Sequence, residues 1–329
     1  MKHGGDLTDA VAQHGGAPEL WLDLSTGINP RPWPVPALPD SLWQRLPSRA
    51  DESALLGAAR DAYNVPGGVE IVAAPGTQAL IQWLPRLASS GSVAIVSPTY
   101  NEHAAAWHLA RRDIVAVTAL DDIPAHVRHV VVVNPNNPDG HVIDRATLAR
   151  VADTLQARCG WLVIDEAFAD IDPNISAVTL CRDLPVVVLR SFGKFYGLAG
   201  LRLGFAIGAA DIAQRIAAAL GPWACSGPAL AVGAAALRDI VWTERTREDL
   251  REQASRLDAL LTVAGFEVVG GTALFRLVRH THAPASHAAL AKHYIWSRKF
   301  DWASNLLRFG LPADDAGLAR LAIALAVND

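Results

Sequence analysis

The stretch Val186-Val187-Val188-Leu189-Arg190-Ser191-Phe192-Gly193-Lys194 joins an apolar run to a polar turn. An apolar run without alternation is typical of a strand that is buried on both faces of a parallel sheet. Similar runs recur along the chain at Val93–Val96, Ile114–Val117, Val130–Val133, Trp161–Ile164 and Leu203–Ile207. The pattern predicts an α/β fold with a mainly parallel sheet.

The segments between these runs have apolar residues at the spacing of a helix. After Gly227 the pattern of the chain changes. Pro228–Leu261 predicts one or two long helices, and Glu267–Val269 and Leu274–Val278 predict strands. We therefore predict an N-terminal arm (1–40), a large domain (41–226) and a smaller α+β domain (227–329). The predicted helices of the large domain are Gln78–Leu87, Glu102–Arg111, Arg145–Ala157 and Ala210–Leu220.

The composition is that of a globular protein, with 51 % hydrophobic and 19 % charged residues in a chain of 329. Lys and Arg total 29 against 33 Asp and Glu, for a net charge of −4. No overall basic field is therefore expected to attract nucleic acid or an anionic membrane. The apolar runs are also shorter than the roughly 18 residues of a membrane-spanning helix.

The cysteines and the N-terminus indicate a cytoplasmic location. Cys159, Cys181 and Cys225 are odd in number and widely spaced, which favours free thiols over a disulfide framework. The first residues lack the apolar stretch of a secretory signal.

Several common site motifs are absent from the sequence, including G-x-G-x-x-G, G-x-x-x-x-G-K-[ST], H-E-x-x-H and G-x-S-x-G. His280, His282, His287 and His293 could indicate a metal site, but no carboxylate lies among them. We predict no metal, with that histidine cluster as the open alternative.

Lysine is rare, because 25 of the 29 basic residues are Arg. Of the four lysines, Lys194 alone follows a predicted buried strand, and ligands of open α/β sheets bind at such strand ends. A solvated loop lysine remains the alternative.

Six motifs in order resemble the aspartate-aminotransferase fold family of pyridoxal 5′-phosphate (PLP) enzymes, in its branch of histidinol-phosphate aminotransferases and threonine-phosphate decarboxylases. The resemblance implies a seven-stranded, mainly parallel sheet between helices in the large domain. The motifs are Pro75-Gly76-Thr77-Gln78, Ser97-Pro98-Thr99-Tyr100, Asn134-Pro135-Asn136-Asn137-Pro138-Asp139-Gly140, Asp165-Glu166-Ala167-Phe168, Ser191-Phe192-Gly193-Lys194 and Gly200-Leu201-Arg202-Leu203-Gly204.

The resemblance implies three catalytic residues, Lys194, Asp165 and Tyr100. Lys194 would attach to the cofactor aldehyde through its amine and then move protons at the substrate carbon. Asp165 would pair with the pyridine nitrogen and keep it protonated, so that the ring accepts electrons. A carboxylate that only caps the next turn is the alternative for Asp165.

Other residues would hold the cofactor. Tyr100 would stack on its ring, or else be a core tyrosine, and Asn137 would donate to its phenolic oxygen. The resemblance also implies a cis Asn137–Pro138 bond. The cofactor phosphate would be bound by the start of a helix at Gly76, Thr77 and Gln78, by Ser191 and by Arg202.

The substrate residues implied by the resemblance lie at both ends of the chain. Arg298 and Arg308 would bind substrate anions, with an internal ion pair as the alternative for Arg308, which lies in an apolar strand. The segments His3-Gly4-Gly5-Asp6 and Ser25-Thr26-Gly27-Ile28-Asn29-Pro30 resemble those of threonine-phosphate decarboxylases. His3, Gly5, Gly27 and Asn29 would bind the substrate phosphate and carboxylate, unless the N-terminus is a mobile tail.

Three departures from the family pattern alter these expectations. Asp6 replaces an Asn, and Phe168 replaces a Tyr that donates to the phenolic oxygen, which leaves more of that work to Asn137. Leu46-Pro47 replaces a Tyr-Pro that reaches the cofactor phosphate of the partner subunit. A homodimer is still implied by the family.

The resemblance predicts PLP-dependent decarboxylation of L-threonine O-3-phosphate to (R)-1-amino-2-propanol O-2-phosphate, a step of cobalamin (vitamin B12) biosynthesis. The alternative is an aminotransferase of the histidinol-phosphate type. Both reactions begin alike, and the orientation of the substrate carboxylate selects the bond that breaks. A non-enzymatic binding role is disfavoured by the presence of Lys194, Asp165 and Asn137 together.

Overall fold

The computed structural model describes residues 4–326, which form two compact units. The larger unit comprises Trp33–Asn137 and His141–Thr243, and the smaller one comprises residues 4–32, Pro138–Gly140 and residues 244–326. His3 lies outside the described residues.

Most of the described chain is regular secondary structure. The helices are α1 (Thr8–His14), α2 (Ser41–Gln44), α3 (Arg49–Ala62), α4 (Thr77–Leu87), α5 (Asn101–Leu109), α6 (Arg145–Gln156), α7 (Phe192–Phe195), α8 (Ala210–Leu220), α9 (Gly227–Arg238), α10 (Ile240–Val263), α11 (Ala283–Lys292) and α12 (Asp315–Ala326). The strands are β1 (Leu22–Asp23), β2 (Glu70–Ala74), β3 (Val93–Val96), β4 (Ile114–Val117), β5 (His129–Val133), β6 (Leu162–Asp165), β7 (Val186–Ser191), β8 (Gly204–Gly208), β9 (Glu267–Thr272), β10 (Phe275–Arg279), β11 (Ile295–Trp296), β12 (Arg298–Phe300) and β13 (Ala303–Gly310). Short 3₁₀ helices connect several of these elements.

The larger unit is built on a seven-stranded sheet in the order β2-β8-β7-β6-β5-β3-β4. Strand β8 runs antiparallel to both of its neighbours, and all other pairs are parallel. Every residue of β5, β6 and β7 is buried, as their unbroken apolar runs require. The predicted α/β fold with a mainly parallel sheet is confirmed.

Helices α4, α5 and α8 pack their apolar faces against this sheet. Leu80, Leu84, Trp107 and Ile216 are buried in one cluster with the side chains of the central strands. Spacings of three or four residues put Leu80, Leu84 and Ile81 on one face of α4, which explains why this segment forms a helix despite Pro85 in its last turn.

The smaller unit contains a four-stranded antiparallel sheet in the order β12-β13-β10-β9. Strand β1 near the N-terminus pairs in parallel with β11. The segment 228–261 forms two helices that meet at Asp239. The first of them, α9, packs against α3 and belongs to the larger unit, whereas the sequence division had put it in the small domain. Its buried residues cover almost its whole length, since Ala and Gly allow close helix packing.

The prediction of a cis peptide bond at Asn137–Pro138 is wrong. The cis peptide bonds among the described residues are Ser97–Pro98 and Asn134–Pro135, each beside one of the predicted cofactor motifs. Either X–Pro bond of an N-P-N-N-P loop can be cis, so the sequence alone does not decide between them. Within residues 4–326, no helix is long and apolar enough to cross a membrane.

His129 ties two strands together at the edge of the sheet opposite the carboxyl ends. Its Nδ1 accepts a hydrogen bond from the Trp161 backbone N–H at 3.1 Å, so its Nε2–H donates to the Ser89 carbonyl oxygen at 2.9 Å. Burial lowers the pKa of His129 to about 4. A proton on Nδ1 would face the Trp161 N–H, which explains why this histidine folds in its neutral form.

We predict that His129 makes the protein sensitive to acid. Below pH 6.5 His129 becomes protonated in the unfolded chain, whereas in the folded chain it stays neutral down to about pH 4. The free energy of unfolding therefore falls as the pH is lowered from 6.5 to 4. In His129→Asn the amide oxygen can accept the same hydrogen bond without titrating. Its Tm should fall less between pH 7 and 5 than that of the parent, by on the order of 2 °C. An equal fall in both proteins would contradict this role, and His108→Asn at an exposed site is the control.

Candidate active site

A cavity in the larger unit lies at the carboxyl ends of β5, β6 and β7, where Val133, Asp165 and Ser191 line it. Its empty volume is about 710 Å³, including space open to solvent. Parallel strands deliver their last residues to one edge of a sheet, so residues far apart in sequence meet here. All nine residues assigned to the cofactor line the cavity: Gly76, Thr77, Gln78, Tyr100, Asn137, Asp165, Ser191, Lys194 and Arg202.

Lys194 lies in α7, a single helical turn that directly follows β7. Its side chain is half-buried, and its Nζ lies 5.9 Å from the centre of the Phe168 ring. The residue is therefore fixed at the end of a buried strand. The alternative of a freely solvated loop lysine does not fit this position.

Asp165 is the last residue of β6 and is only 3 % exposed. One carboxylate oxygen accepts from the Ala167 backbone N–H at 3.1 Å, and the other lies 2.9 Å from Nε2 of His103. The group therefore caps the next turn, as the alternative reading held, and it also lines the cavity with a second polar partner.

His103 is the residue that sequence reasoning missed. In the structure it is buried on α5, three residues after Tyr100, and the two rings are edge-to-face at 6.2 Å. Tyr100 is the N-cap residue of α5 and His103 lies in its first turn, and this closeness in sequence to a predicted cofactor residue was the available signal.

Tyr100 and Gln78 belong to a polar chain at the cavity wall. The Tyr100 hydroxyl donates to the Gln78 side-chain oxygen at 3.4 Å, and the Gln78 amide donates to Glu102 at 2.8 Å. Burial, followed by the nearby carboxylates of Glu102 and Asp165, raises the pKa of Tyr100 to about 12. The phenol therefore stays protonated, and the half-buried ring is held in one orientation.

Helix α4 begins at Thr77 and points its N-terminus into the cavity. Gly76, and not Thr77, occupies the cap position, with φ of 82°. A Cβ on Gly76 would lie 2.6 Å from a guanidinium nitrogen of Arg202, so that guanidinium rests against the helix end. Gly204 allows β8 to approach equally closely, because a Cβ there would lie 2.6 Å from the Thr77 nitrogen.

The charge and donors of these groups favour binding of an anion. Free backbone N–H groups and the helix dipole favour negative charge, and Arg202 adds a full positive charge. Arg202 itself adopts a left-handed backbone conformation, with φ of 55° and ψ of 60°. Such a conformation costs on the order of 1 kcal/mol in a residue with a side chain and is found at binding sites.

Asn137 lies in the loop after β5, and hydrogen bonds join this loop to the one that carries Tyr100. The Thr99 hydroxyl donates to the Asn136 side-chain oxygen at 2.6 Å, and the Asn136 amide donates to the Pro98 carbonyl oxygen at 3.1 Å. The two loops therefore hold Asn137 and Tyr100 at the same cavity.

A buried ionic network supports the strand ends from the opposite face. Arg190 contacts Glu166 at 2.8 Å and Asp170 at 2.6 Å, and all three residues are buried. Burial raises the pKa of Glu166, although Arg190 acts against this. Burial by itself would lower the pKa of Arg190, but the two carboxylates raise it above its usual value.

The predicted substrate arginines lie in the smaller unit. Arg298 and Arg308 are direct partners across the β12–β13 ladder. Burial, and then the positive charge of Arg298, lower the pKa of Arg308 to about 10, while Asp23 acts in the opposite direction. Two neighbouring guanidinium groups, one of them buried, make a strong site for an anion. Arg308 also donates to the Ser25 carbonyl oxygen at 2.7 Å.

The described N-terminal residues pack in the same unit. The Gly5 N–H donates to the Ser25 hydroxyl at 2.9 Å, and Gly27 and Asn29 are buried. The Asn29 side-chain oxygen accepts from the Arg31 N–H at 2.9 Å. From Gly4 onward, the segment is therefore not a free tail. Among residues 4–326, no three His, Cys, Asp or Glu side chains gather in a way that could hold a metal ion.

The donor set of the cavity in the larger unit fits PLP. A primary amine, a buried carboxylate and an anion site with a helix N-terminus match the aldehyde, the pyridine nitrogen and the phosphate of this cofactor.

Comparison with known proteins agrees with this chemistry. The family model described as aminotransferase class I and II matches residues 52–324. A threonine-phosphate decarboxylase of Sinorhizobium sp. is 44 % identical over 98 % of this chain and 97 % of its own length. The corresponding protein of Pseudomonas aeruginosa is 42 % identical over 99 % of this chain and 97 % of its own length.

A solved structure shares the fold. The histidinol-phosphate aminotransferase from Sinorhizobium meliloti, in complex with pyridoxal-5′-phosphate, has a TM-score of 0.79 and 20 % identity. The match covers 97 % of this chain and 93 % of that one.

We predict that Gly76→Ala weakens anion binding in the cavity. The new Cβ would collide with Arg202, and the backbone of Gly76, with φ of 82° and ψ of 158°, lies in a region that costs a residue with a side chain about 1–3 kcal/mol. The Kd for inorganic phosphate, obtained from the rise in Tm with phosphate concentration, should increase about tenfold. Gly57→Ala is the control, because nothing lies within 4 Å of its new Cβ. Unchanged phosphate binding in Gly76→Ala would show that the anion site lies elsewhere.

Proposed function

The chain belongs to the aminotransferase class I and II family, and from this membership we propose that it decarboxylates L-threonine O-3-phosphate with PLP as cofactor. The products are CO₂ and (R)-1-amino-2-propanol O-2-phosphate. The latter is an amino-alcohol phosphate for cobalamin biosynthesis. The observation that carries the substrate assignment is the 44 % and 42 % identity, over nearly the whole chain, to proteins named threonine-phosphate decarboxylase.

The residues that line the cavity have distinct roles in this proposal. Lys194 would hold the cofactor aldehyde through its amine, and that amine would later deliver a proton to the substrate Cα in place of the lost carboxylate. Asp165, oriented by His103, keeps a proton on the pyridine nitrogen. Tyr100 would pack on the ring, and Asn137 would donate to the phenolic oxygen.

The cofactor phosphate is bound by Ser191, by Arg202 and by the start of α4 at Gly76, Thr77 and Gln78. When bound, PLP supplies an electron-poor ring that accepts the electron pair of the breaking Cα–carboxylate bond. A ring nitrogen that stays protonated beside Asp165 increases this capacity.

The substrate carries two anionic groups, a phosphate and a carboxylate. Arg298 and Arg308 bind these anions in our proposal, with Gly27, Asn29 and His3 as further donors. Gly5 contributes through the position of its backbone, because its N–H donates to the Ser25 hydroxyl. The support is the buried position of Arg308 and the like charge of its neighbour, an arrangement that an anion would stabilise. Decarboxylation would require the substrate to be bound with its Cα–carboxylate bond perpendicular to the plane of the conjugated system, whereas an aminotransferase of the histidinol-phosphate type would require its Cα–H bond in that orientation.

We predict that the purified protein with PLP releases CO₂ from L-threonine O-3-phosphate without any keto-acid acceptor. Lys194→Ala should lower this rate by at least about 10³-fold and abolish the visible absorption band of bound PLP. The measurement is CO₂ release together with the absorption spectrum.

Two outcomes would count against the proposal in different ways. No release from a protein that shows the absorption band would shift the function to the aminotransferase, which requires 2-oxoglutarate or glutamate as second substrate. An absorption band retained in Lys194→Ala would show that Lys194 does not hold the cofactor.

We further propose that the enzyme is a homodimer in the cytoplasm. Trp43, Leu46 and Trp223 are 68 %, 64 % and 59 % exposed, and Pro47, next to Leu46, lines a groove together with Trp223. Such an apolar surface is typical of an interface. The location is supported by the three cysteines, all of which are free.

We predict that light scattering gives a mass of two 35.0 kDa chains for the parent protein. Trp223→Lys should raise the Kd of the dimer at least about tenfold, because large aromatic side chains dominate interface energies. Trp302→Lys, at another exposed tryptophan, should leave the mass unchanged. A monomeric parent protein at micromolar concentration would disprove the dimer.

A further inference from the structure

Ser25, in the described N-terminal segment, is a buried polar residue that forms hydrogen bonds with three other residues. It is 1 % exposed and is separated from the end of β1 by one residue, Leu24. Its hydroxyl donates to the Asp23 carboxylate at 2.6 Å and accepts from the Gly5 N–H at 2.9 Å. Its backbone carbonyl oxygen accepts from Arg308 at 2.7 Å. One residue thus contacts the N-terminal glycines and a predicted substrate arginine at once.

The backbone around Ser25 is held firmly. The Leu24 N–H donates to the Trp296 carbonyl oxygen at 2.8 Å, and the Gly310 N–H donates to the Leu24 carbonyl oxygen at 2.7 Å. A Cβ on Gly310 would lie 2.3 Å from the Thr26 carbonyl oxygen, so only glycine allows this approach. The Ser25 carbonyl group therefore has a fixed position beside β13, the strand that carries Arg308.

The glycines at residues 4 and 5 fit against Ser25 by shape as well as by hydrogen bonding. A Cβ on Gly4 would lie 2.3 Å from the Ser25 carbonyl oxygen and 3.1 Å from its hydroxyl oxygen. Gly5 has φ of 88°, which favours glycine. The contact therefore needs the Ser25 hydroxyl and also the absence of a side chain at residue 4.

The charges agree with the same arrangement. Asp23 accepts from both the backbone N–H and the hydroxyl of Ser25 through the same carboxylate oxygen. Its negative charge also acts on Arg308. Asp23 thus fixes the direction in which the Ser25 hydroxyl donates, and the lone pairs of that oxygen remain for the Gly5 N–H.

We propose that Ser25 is a positioning residue that fastens the Gly4–Gly5 segment beside Arg308 and so completes the anion-binding end of the substrate site. This inference rests on the proposed function for its link to the substrate. The fastening itself is a property of the folded chain and can be measured without any activity. The side chain of Ser25 does not touch the substrate in this proposal, since both of its hydrogen-bonding directions are used within the chain.

Two variants of the full-length, PLP-loaded protein remove the contact by different means. Ser25→Ala deletes the hydroxyl and keeps the carbonyl group that Arg308 contacts. Gly4→Ala keeps the hydroxyl and adds the Cβ for which there is no room. Ser286→Ala, which also loses a hydrogen-bonded hydroxyl of the smaller unit, and Gly57→Ala are the matched controls.

The first readout is hydrogen exchange of the Gly5 amide, followed by mass spectrometry. We expect exchange in Ser25→Ala and Gly4→Ala to be at least about tenfold faster than in the parent and in both controls. A Gly5 amide that exchanges in the parent as fast as in an unstructured peptide would overturn the proposal, as would unchanged exchange in both variants.

The second readout is the split between KM and kcat for CO₂ release from L-threonine O-3-phosphate. We expect both variants to raise KM about tenfold, to change kcat less than about threefold, and to keep the absorption band of bound PLP. A merely structural contact would leave KM unchanged while exchange increases, and that result would overturn the positioning role. If the parent protein releases no CO₂, the proposed function fails, and the exchange measurement still decides whether Ser25 fastens the segment.

Discussion

The active-site edge of the sheet depends on one buried positive charge, the guanidinium of Arg190. It bridges Glu166, just beyond the end of β6, and Asp170 in the turn that follows, from its own position near the end of β7. Side chains of a strand alternate between its faces, so Arg190 and Glu166 point away from the face to which Ser191 and Asp165 belong. The ion pairs on one face thus fix the spacing of the cavity residues on the other. Removing one partner of such a buried pair typically costs about 3–5 kcal/mol, because a charge is left without compensation.

Close backbone approaches give the cavity its second constraint. Gly76 and Gly204 let Arg202, the start of α4 and strand β8 meet without intervening side chains. In the smaller unit, Gly4 lies close to the Ser25 carbonyl group and Gly310 close to the Thr26 carbonyl group. At each of these four glycines a methyl group would lie 2.3–2.6 Å from an existing polar atom, which is too close for any contact. The predicted anion sites of both units therefore consist of backbone groups and arginines that glycine allows to come together.

Sequence reasoning succeeded where local pattern and function coincide. Unbroken apolar runs such as Val130–Val133 and Val186–Leu189 are buried central strands, and the residues that follow them line the cavity. It failed at the Asn-Pro loop, where the cis bond is at Asn134–Pro135, since two prolines were available. It also placed α9 in the small domain, because a change in composition does not reveal the packing partner of a helix. The predicted boundaries of the arm and the two domains, after residues 40 and 226, stay a prediction.

The sequence by itself determined the order of strands β3 to β8 and of the helices between them, the scarcity of lysine that singles out Lys194, and the family. These follow from residue types and spacing, which act locally along the chain. Only the tertiary structure decided that His103 contacts Asp165, that Arg190 is neutralised by two carboxylates, and that Ser25 joins Gly5 to Arg308. Each of these contacts links residues between 20 and 283 positions apart. Hydrogen bonds and ion pairs act over about 3 Å in space, and no periodicity in the sequence records which distant residues the folded chain brings within that distance.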